Sequence, residues 1–450
     1  MSKISVVGLG KLGLCLATVF AKRGFDVIGV DIREDFVTAV NKGRSPIIEP
    51  GLSELISEVG GKTLKTTMNH AEAIENSDIT IILVSTPSND DGSFSNHYVE
   101  SALQSLATEL AKSKKDNHSF IISSTVMPGS IESSFIPVIE EHSGRKLNVG
   151  FDVCHVPDFV ALGDVINGFL KPELVVIGES SREAGEKVDN IYNKIYENTP
   201  YVAHMSLVSA EISKVSLNAY ITLKISFANT LANLCDKTPN ADLDSITNAI
   251  GVDQRISPYF FKGGLSFGGT CFPRDTKAFI SFAQKKCNEA DLIKAVEKVN
   301  TYQDQLLLKL VDKIWSKEDN HVLGVLGLAF KPSTPVIVES PAIKLIEGLL
   351  QKRIDQTIIV YDPLAIKNTR QRFDNAIEYA GTIEECLTKS SVCVVTTPDI
   401  AFKELIESFK ANGPMTLIDC WRLLDRDSLS DNIRYIAWGY SQNTDAIDLE

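Results

Sequence analysis

A glycine-rich stretch in the middle of the chain carries a cysteine and an aspartate four residues apart. It spans residues 263–275 and reads GGLSFGGTCFPRD. Its four glycines let the backbone pass close to a ligand, and Cys271 supplies a nucleophilic thiol. Asp275 lies one turn further on if a helix starts here. The stretch predicts a thiol and a carboxylate beside a bound ligand, and the alternative is a flexible surface loop with an incidental cysteine.

A lysine and an asparagine form a second candidate pair. Lys214 and Asn218 lie in a stretch from Ser206 to about Cys235 that contains no proline or glycine and has a helical apolar pattern. Residues four apart share one face of a helix. A lysine among apolar neighbours either extends to water or is held for a purpose, and the spacing alone leaves both interpretations open.

A dinucleotide fingerprint lies near the N-terminus, between an apolar strand and a helix. It is a G-x-G-x-x-G motif, and the acid Asp31 ends the next strand about 20 residues on, as the fingerprint requires. Asp31 can accept hydrogen bonds from ribose hydroxyls and would repel a 2′-phosphate, so NAD is favoured over NADP, with nearby Arg33 a reservation. A glycine-rich turn of another α/β domain is the alternative. The cofactor residues expected in the motif itself are Gly8, Gly10, Lys11, Leu12 and Gly13.

Two threonines follow further strands of the first domain. Thr86 and Thr125 come after the apolar runs 78–84 and 120–124. Ligands of open α/β sheets lie beyond the carboxyl ends of the strands, so both threonines are expected at the cofactor, although either could be a helix cap. His155, at another strand end, is more often a structural histidine than a catalyst.

The order of elements predicts an α/β protein with two Rossmann-like, doubly wound domains joined by an all-helical domain. The expected divisions are 1–205 for NAD binding, 206–310 for the central helices and 311–450 for a second nucleotide-binding domain. The third domain lacks a full G-x-G-x-x-G motif, which favours a mononucleotide half-site. Long helices with so much apolar surface often dimerise, so a homodimer through the central helices is expected.

The composition excludes several functional classes. A net charge of −13 over 450 residues argues against a nucleic-acid binder. Eight cysteines without a C-x-x-C pair favour reduced cytoplasmic thiols. The histidines lack metal-ligand spacing, so no metal is expected. No signal peptide precedes the first strand, and the apolar runs are shorter than a membrane span, so a cytoplasmic protein is expected.

Taken together, nine short motifs resemble the UDP-glucose/GDP-mannose dehydrogenase family across nearly the whole chain. Any one of them is modest support, but they occur in the family's order. They are residues 8–13 with Asp31, 46–52, 85–88, 124–126, the pair Lys214 and Asn218, 253–256, 267–275, 327–332 and 339–342.

The resemblance implies a four-electron oxidation of a nucleotide sugar at C6, with two NAD reduced. Cys271 would attack the intermediate aldehyde, and the resulting thiohemiacetal would be oxidised to a thioester that water hydrolyses. Lys214 and Asn218 would stabilise the oxyanion. Asp275 would act as base or position the water, and Thr125 would place a water or the cofactor.

The resemblance also implies contacts to the nucleotide sugar. Arg255 matches a position that in relatives reaches the site of the partner subunit, and Asp158 replaces a catalytic glutamate. The other matching positions, besides Lys214 and Asn218, are Lys262, Phe267, Gly268, Phe330 and Lys331.

Several residues depart from the family pattern. Leu162 replaces a second acid, Val338 an arginine that contacts the cofactor, and Ser266 a common loop glycine. Trp421 stands where an arginine contacts the sugar, and the adjacent Arg422 is a possible substitute. These departures bear on substrate and rate more than on fold.

The first choice of substrate is UDP-glucose. The alternatives are GDP-mannose, a UDP-N-acetylhexosamine, or a homologue that binds nucleotide sugars without turning them over. A single-step 3-hydroxyacid dehydrogenase would share the first domain and the lysine–asparagine pair, but it leaves Cys271 and the third domain unexplained.

Overall fold

The structure is a computed structural model that describes residues 3–318, 322–352 and 356–440. The chain divides into two compact units, Met1–Leu217 and Asn218–Glu450, here called the first and the second unit. Each contains one sheet with helices. The long helix Leu207–Cys235 begins in the first unit and ends in the second.

The first unit is built on an eight-stranded sheet. In chain order its strands are β1 Ile4–Val7, β2 Val27–Val30, β3 Leu64–Thr67, β4 Ile79–Ile82, β5 Ser119–Ile122, β6 Asp152–His155, β7 Leu174–Glu179 and β8 Tyr201–Ser206. Their order in the sheet is β3-β2-β1-β4-β5-β6-β7-β8. All neighbours are parallel except β6 and β7, an antiparallel pair that the sequence analysis did not predict.

Helices cover both faces of this sheet, because alternate residues of the buried strands point to opposite sides. Ile4 and Val6 pack with one group of helices, whereas Val7 packs with the other. The helices are α1 Lys11–Lys22, α2 Glu34–Asn41, α3 Leu52–Val59, α4 His70–Asn76, α5 His97–Lys112, α6 Ile136–Ser143, α7 Val165–Leu170 and α8 Arg182–Tyr192, with a π turn at Ile131–Phe135 before α6. The predicted doubly wound arrangement is confirmed.

The second unit contains the rest of α9 (Leu207–Cys235), three further helices and a six-stranded parallel sheet. The helices are α10 Leu243–Gly251, α11 Phe272–Lys285 and α12 Asp291–Trp315. The sheet is ordered β11-β10-β9-β12-β13-β14. Its elements are β9 Val322–Leu326, α13 Pro341–Lys352, β10 Thr357–Tyr361, α14 Ile366–Phe373, β11 Glu378–Tyr379, α15 Ile383–Lys389, β12 Val392–Val395, α16 Ile400–Ser408, β13 Met415–Asp419, a 3-10 turn Arg426–Ser428 and β14 Ile433–Ala437.

The apolar pattern of the sequence predicts helices at Thr276–Lys286 and Asp291–Asp304, and the start of the first and the end of the second are wrong. Helix α11 begins at Phe272 rather than Thr276, because Pro273 fits the first turn, where no backbone donor is needed. Helix α12 continues past the predicted end at Asp304 and past residue 310 to Trp315. Its apolar spacing continues beyond Asp304 and those side chains are buried, so no signal ends the helix earlier. Among the described residues, no helix is long and apolar enough to cross a membrane.

Candidate active site

The backbone of the predicted cofactor loop requires glycine at two positions of the motif, Gly8 and Gly13. Gly8 takes φ +93°, and a Cβ there would lie 2.4 Å from the carbonyl oxygen of Leu83. A Cβ on Gly13 would lie 1.9 Å from the carbonyl oxygen of Gly8, so helix α1 could not approach this strand closely. Around Gly10, in contrast, an added Cβ would meet nothing within 4 Å. Open space therefore lies where α1 begins.

The start of α1 offers donors for an anion. Gly10 is its N-cap and gives no side-chain cap, and Lys11 and Leu12 form the first turn. The first backbone N–H groups of a helix have no partners within the helix and favour negative charge. The loop and helix start therefore fit the pyrophosphate of NAD.

Asp31 follows β2 and is almost completely buried, yet it is charged. Its carboxylate accepts bonds from the backbone N–H groups of Leu9, at 2.8 Å, and Arg33, at 2.9 Å. The Arg33 guanidinium donates two more, at 3.1 and 3.2 Å. Burial alone would raise the pKa of Asp31, but these hydrogen bonds and the positive charge outweigh it and lower the pKa.

The two threonines of the first unit lie together. The Thr86 hydroxyl is buried and donates to the carbonyl oxygen of Thr125 at 2.7 Å. Glu211 of α9 holds the segment after Thr125, a contact that no sequence motif predicts. Its carboxylate accepts from the N–H groups of Gly129, at 2.6 Å, and Ile131, at 3.0 Å. Only the three-dimensional fold brings residues 80 positions apart together, so spacing gave no signal for this contact.

Lys214 and Asp158 form one group in the first unit. The Lys214 ammonium donates to the backbone carbonyl of Asp158 at 2.5 Å and lies 4.9 Å from the centre of the Phe159 ring. Asp158 Oδ2 is buried and has no hydrogen-bond partner among the described residues. Burial raises the pKa of Asp158 to about 7, although the charge of Lys214 lowers it. A carboxyl group with this pKa can exchange a proton near neutral pH.

Two other residues of this region are structural. His155 is fully buried, and its Nδ1 pairs with the carbonyl oxygen of Ile122 at 2.7 Å. Burial lowers its pKa to about 4, so it is neutral at physiological pH. Leu162, which replaces an acid, packs against the apolar core of the first unit.

Cys271 and Asp275 lie at the start of α11, in the second unit. Cys271 is exposed and directly precedes the helix, where the helix dipole favours an anion. One turn on, Asp275 is buried. Its carboxylate accepts from the Asn218 amide at 2.6 Å and pairs with Arg274 at 3.2 Å. Asn218 and Asp275 are therefore in direct contact, and the thiol lies one turn before them.

Three buried amides hold the glycine-rich loop before Cys271. Asn229 of α9 accepts from the Gly264 N–H at 2.8 Å and donates to the Leu265 carbonyl at 3.1 Å. Asn300 of α12 makes the same pair of bonds to the backbone of Phe267, at 2.7 and 3.1 Å. Gln303 donates to the Gly264 carbonyl at 2.9 Å, and Ser266 donates to Asp304.

The alternative of a flexible surface loop is wrong, because residues 263–269 are buried and their backbone is bonded to two helices. Thr270 and Cys271, which follow, are exposed. The loop therefore presents the thiol from a fixed base.

The end of this loop packs against Phe330. A Cβ on Gly269, which takes φ +85°, would lie 2.6 Å from the Phe330 ring, and one on Gly268 would lie 2.2 Å from the carbonyl oxygen of Glu339. The Gly269 N–H donates to the carbonyl of Val338 at 2.9 Å. The backbone of Val338 therefore supports the loop, while its side chain is half exposed.

The remaining predicted sugar contacts differ in exposure. Phe267 is buried, whereas Lys262 is exposed. The Lys331 ammonium lies 5.9 Å from the centre of the Phe330 ring. Arg255 has an 87% exposed side chain that pairs with Asp253 at 2.6 Å, which leaves it on the surface of this chain.

Arg422 does not have the free guanidinium expected of a substitute for the missing sugar-contacting arginine. It donates to Asp244 at 2.9 and 3.0 Å and to the carbonyl oxygens of Trp438, at 2.6 Å, and Gly263, at 2.9 Å. Trp421 packs against Gly264 and donates to the Thr396 carbonyl at 2.9 Å. Both side chains brace the base of the glycine-rich loop.

The sheet of the second unit repeats the turn of the first. Gly327 follows β9 with φ +92°, as Gly8 follows β1. Asp362 follows β10 and accepts a hydrogen bond from the Leu328 N–H at 2.8 Å, as Asp31 does from Leu9. Among the residues that the structure describes, no group of three or more His, Cys, Asp or Glu side chains could hold a metal ion.

Known proteins resemble the chain over nearly its full length. The family models described as UDP-glucose/GDP-mannose dehydrogenase family match in succession: the NAD binding domain at residues 2–196, the central domain at 208–302 and the UDP binding domain at 324–426. A UDP-glucose 6-dehydrogenase, AglM, of Haloferax volcanii is 37% identical, over 94% of this chain and 97% of that protein. A GDP-mannose 6-dehydrogenase of Pseudomonas savastanoi pv. phaseolicola is 32% identical, over 84% of this chain and 82% of that protein.

A solved structure shows the same architecture. The UDP-glucose dehydrogenase of Pyrobaculum islandicum superposes with a TM-score of 0.88 at 30% identity, covering 98% of both chains. The glycine-rich turn before α1, the buried Asp31 and the matches along the chain all support the same family assignment. The chain belongs to the UDP-glucose/GDP-mannose dehydrogenase family and is an NAD-dependent nucleotide-sugar 6-dehydrogenase.

Proposed function

We propose that the chain oxidises the C6 hydroxyl of UDP-glucose to a carboxylate through a covalent intermediate on Cys271. The observation that carries this proposal is the exposed thiol at the N-terminus of α11, one turn before the buried Asp275. Of the eight cysteines, all of them free thiols, only Cys271 and Cys287 are exposed. Cys271 alone follows a backbone fixed by buried amides.

Two oxidations, each of which also releases one proton to solvent, and one hydrolysis convert the alcohol into the acid. NAD, when bound, takes up one hydride in each of two oxidations. The first oxidation converts the alcohol into an aldehyde, and the Cys271 sulfur adds to its carbonyl carbon to form a thiohemiacetal. The second oxidation leaves a thioester, and attack by water releases the carboxylic acid and restores the thiol. A thiolate suits this role because it is both a strong nucleophile and a good leaving group.

The charged groups have separate roles in this proposal. Lys214 and the Asn218 amide stabilise the oxyanion that forms at the C6 carbonyl. Asp158 accepts the proton of the attacking water, for which its pKa of about 7 is suited. Asp275 fixes the Asn218 amide through their 2.6 Å bond and helps to position the water. Thr125, on the segment held by Glu211, places the water or the cofactor.

The nucleotide sugar is proposed to be UDP-glucose because of two similarities. The relative in Haloferax volcanii and the structure from Pyrobaculum islandicum both carry that name. GDP-mannose is the alternative, since a GDP-mannose 6-dehydrogenase is 32% identical. The sugar contacts are proposed to come from Phe267, Gly268, Phe330, Lys331 and Lys262.

We also propose a homodimer through α9. Tyr220, Phe227 and Leu234 are spaced seven residues apart on this helix, and each side chain is more than half exposed. Such a stripe suits a second helix. The exposed Arg255 is proposed to reach the sugar bound to the partner subunit. Free thiols throughout support a cytoplasmic location.

The test is the formation of NADH with a panel of UDP- and GDP-sugars at saturating NAD. We expect two NADH per UDP-glucose consumed and little turnover of GDP-mannose. Turnover of GDP-mannose alone would overturn the choice of sugar but leave the thiol chemistry intact. Tight calorimetric binding of UDP-glucose without NADH from any sugar would instead identify a binding protein without activity.

A further inference from the structure

Arg33 occupies the part of Asp31 that the cofactor ribose needs. A carboxylate has about four lone-pair positions for hydrogen bonds. Four donors already surround Asp31: the backbone N–H groups of Leu9 and Arg33, and the Nε and Nη2 groups of Arg33. The hydroxyls of an adenosine ribose can therefore bond to Asp31 only if they displace some of these donors.

The four donors differ in how easily they can leave. The two backbone donors belong to the loop after β1 and to the turn before α2, and the fold fixes them. The guanidinium is the end of a side chain that is 44% exposed, and its partner carboxylate is 6% exposed. Water screens the exposed guanidinium and can replace Asp31 as its hydrogen-bond partner. The guanidinium is therefore the group that yields to a ribose.

The displaced guanidinium would stay close to the ribose. Its Cζ lies 3.3 Å from the centre of the Phe36 ring, a cation–π contact that does not depend on Asp31. Arginine presents a fork of donors that matches a phosphate. A cofactor with a 2′-phosphate would thus gain an ion pair with the displaced guanidinium. A cofactor without that phosphate breaks the Asp31–Arg33 bonds and gains no such pair.

Asp362, the equivalent acid of the second sheet, shows the contrast. Its four donors are all backbone N–H groups, of Leu328, Ala329, Leu364 and Ala365, at 2.7–3.1 Å. The fold fixes every one of them, so Asp362 has no position that a ligand can take. Asp31 alone of the two has two exchangeable positions, and a cation fills both.

We propose that Arg33 determines cofactor selectivity. It competes with the adenosine ribose for Asp31 and offers its charge to a 2′-phosphate, so that it narrows the preference for NAD over NADP. The inference rests on the cofactor site of the first unit and is independent of the sugar and of Cys271.

The test is calorimetric titration of the full chain with NADH and with NADPH, without sugar. For Arg33→Ala we expect NADH to bind about two- to five-fold more tightly, since the competing ion pair is lost. We expect NADPH to bind about ten-fold more weakly, since a charge-assisted bond is lost. The dissociation constant of NADPH divided by that of NADH then rises about 20- to 50-fold.

Two further variants keep the result interpretable. Arg33→Lys keeps a cation but loses the forked hold on Asp31, so NADH should bind more tightly while NADPH keeps most of its affinity. Arg23→Ala removes an arginine of the same unit that pairs with Glu197, and its ratio should equal that of the wild type. An unchanged or lower ratio in Arg33→Ala, or weaker NADH binding in that variant, would overturn the proposal. So would NADPH binding to the wild type too weak to measure at millimolar concentrations.

Discussion

Replacing Asn229 with alanine should loosen the loop before Cys271 and destabilise the second unit. Asn229 is completely buried, and its amide satisfies one donor, the Gly264 N–H, and one acceptor, the Leu265 carbonyl. Alanine leaves both groups buried without that partner. Each buried unsatisfied group costs about 1–3 kcal/mol, so the variant should lose about 2–6 kcal/mol of unfolding free energy.

Urea unfolding followed by tryptophan fluorescence measures this loss in the right unit. The three tryptophans, Trp315, Trp421 and Trp438, all lie in the second unit. A chain with two units need not unfold in one step, and this signal isolates the step of interest. The maximal rate should fall as well, because the thiol loses its fixed base, whereas NADH affinity, a property of the first unit, should not change.

A matched variant sets the scale for this prediction. Asn432→Ala removes an exposed asparagine of the same unit whose amide donates to the Ala411 carbonyl at 3.1 Å. Exposed substitutions typically change stability by less than about 0.5 kcal/mol. If Asn229→Ala costs no more than Asn432→Ala, the buried amides do not hold the loop and the reasoning is refuted.

Three other predictions concern proton transfer, loop geometry and assembly. Burial raises the pKa of Asp158 to about 7, so if its carboxylate is the base, the maximal rate should rise with pH through about 7. Asp158→Asn should lose that rise, and a variant that keeps it would exclude Asp158 as the base. Gly269→Ala places a Cβ 2.6 Å from the Phe330 ring at φ +85°, so the tryptophan-detected transition should lose about 1–3 kcal/mol; an unchanged midpoint would contradict the packing. Phe227→Asp should convert the dimer into monomers in light scattering, whereas the equally exposed Tyr98→Asp should not; a dimer in both would place the interface elsewhere.

The parts of the site that sequence predicts are those with local chemistry. The turn at Gly8 and the acid Asp31 follow from spacing, since the fingerprint lies within one strand–helix–strand unit. Cys271 and Asp275 lie one turn apart because a helix starts between them. The structure shows this helix, and it begins at Phe272, four residues before the start that the apolar periodicity indicates.

Contacts between residues far apart in the chain determine the rest of the site, and the spacing of residues in the sequence does not predict them. Asn229 and Asn300 are more than 30 residues from the loop backbone that they hold. Glu211 lies near the start of a predicted helix, but its carboxylate accepts a hydrogen bond from a segment 80 residues away. From the sequence alone, Arg422 is a candidate for a sugar contact. In the structure its guanidinium donates four hydrogen bonds within the second unit.

The most direct test of the central claim is the number of NADH molecules formed per sugar by Cys271→Ser. With UDP-glucose limiting and NAD saturating, the wild type and Cys287→Ser, which removes the other exposed thiol, should each form two. Cys271→Ser should bind the sugar normally yet fall short of two, with aldehyde or an unhydrolysed intermediate remaining. Normal turnover with two NADH per sugar in Cys271→Ser would show that this thiol is not the nucleophile.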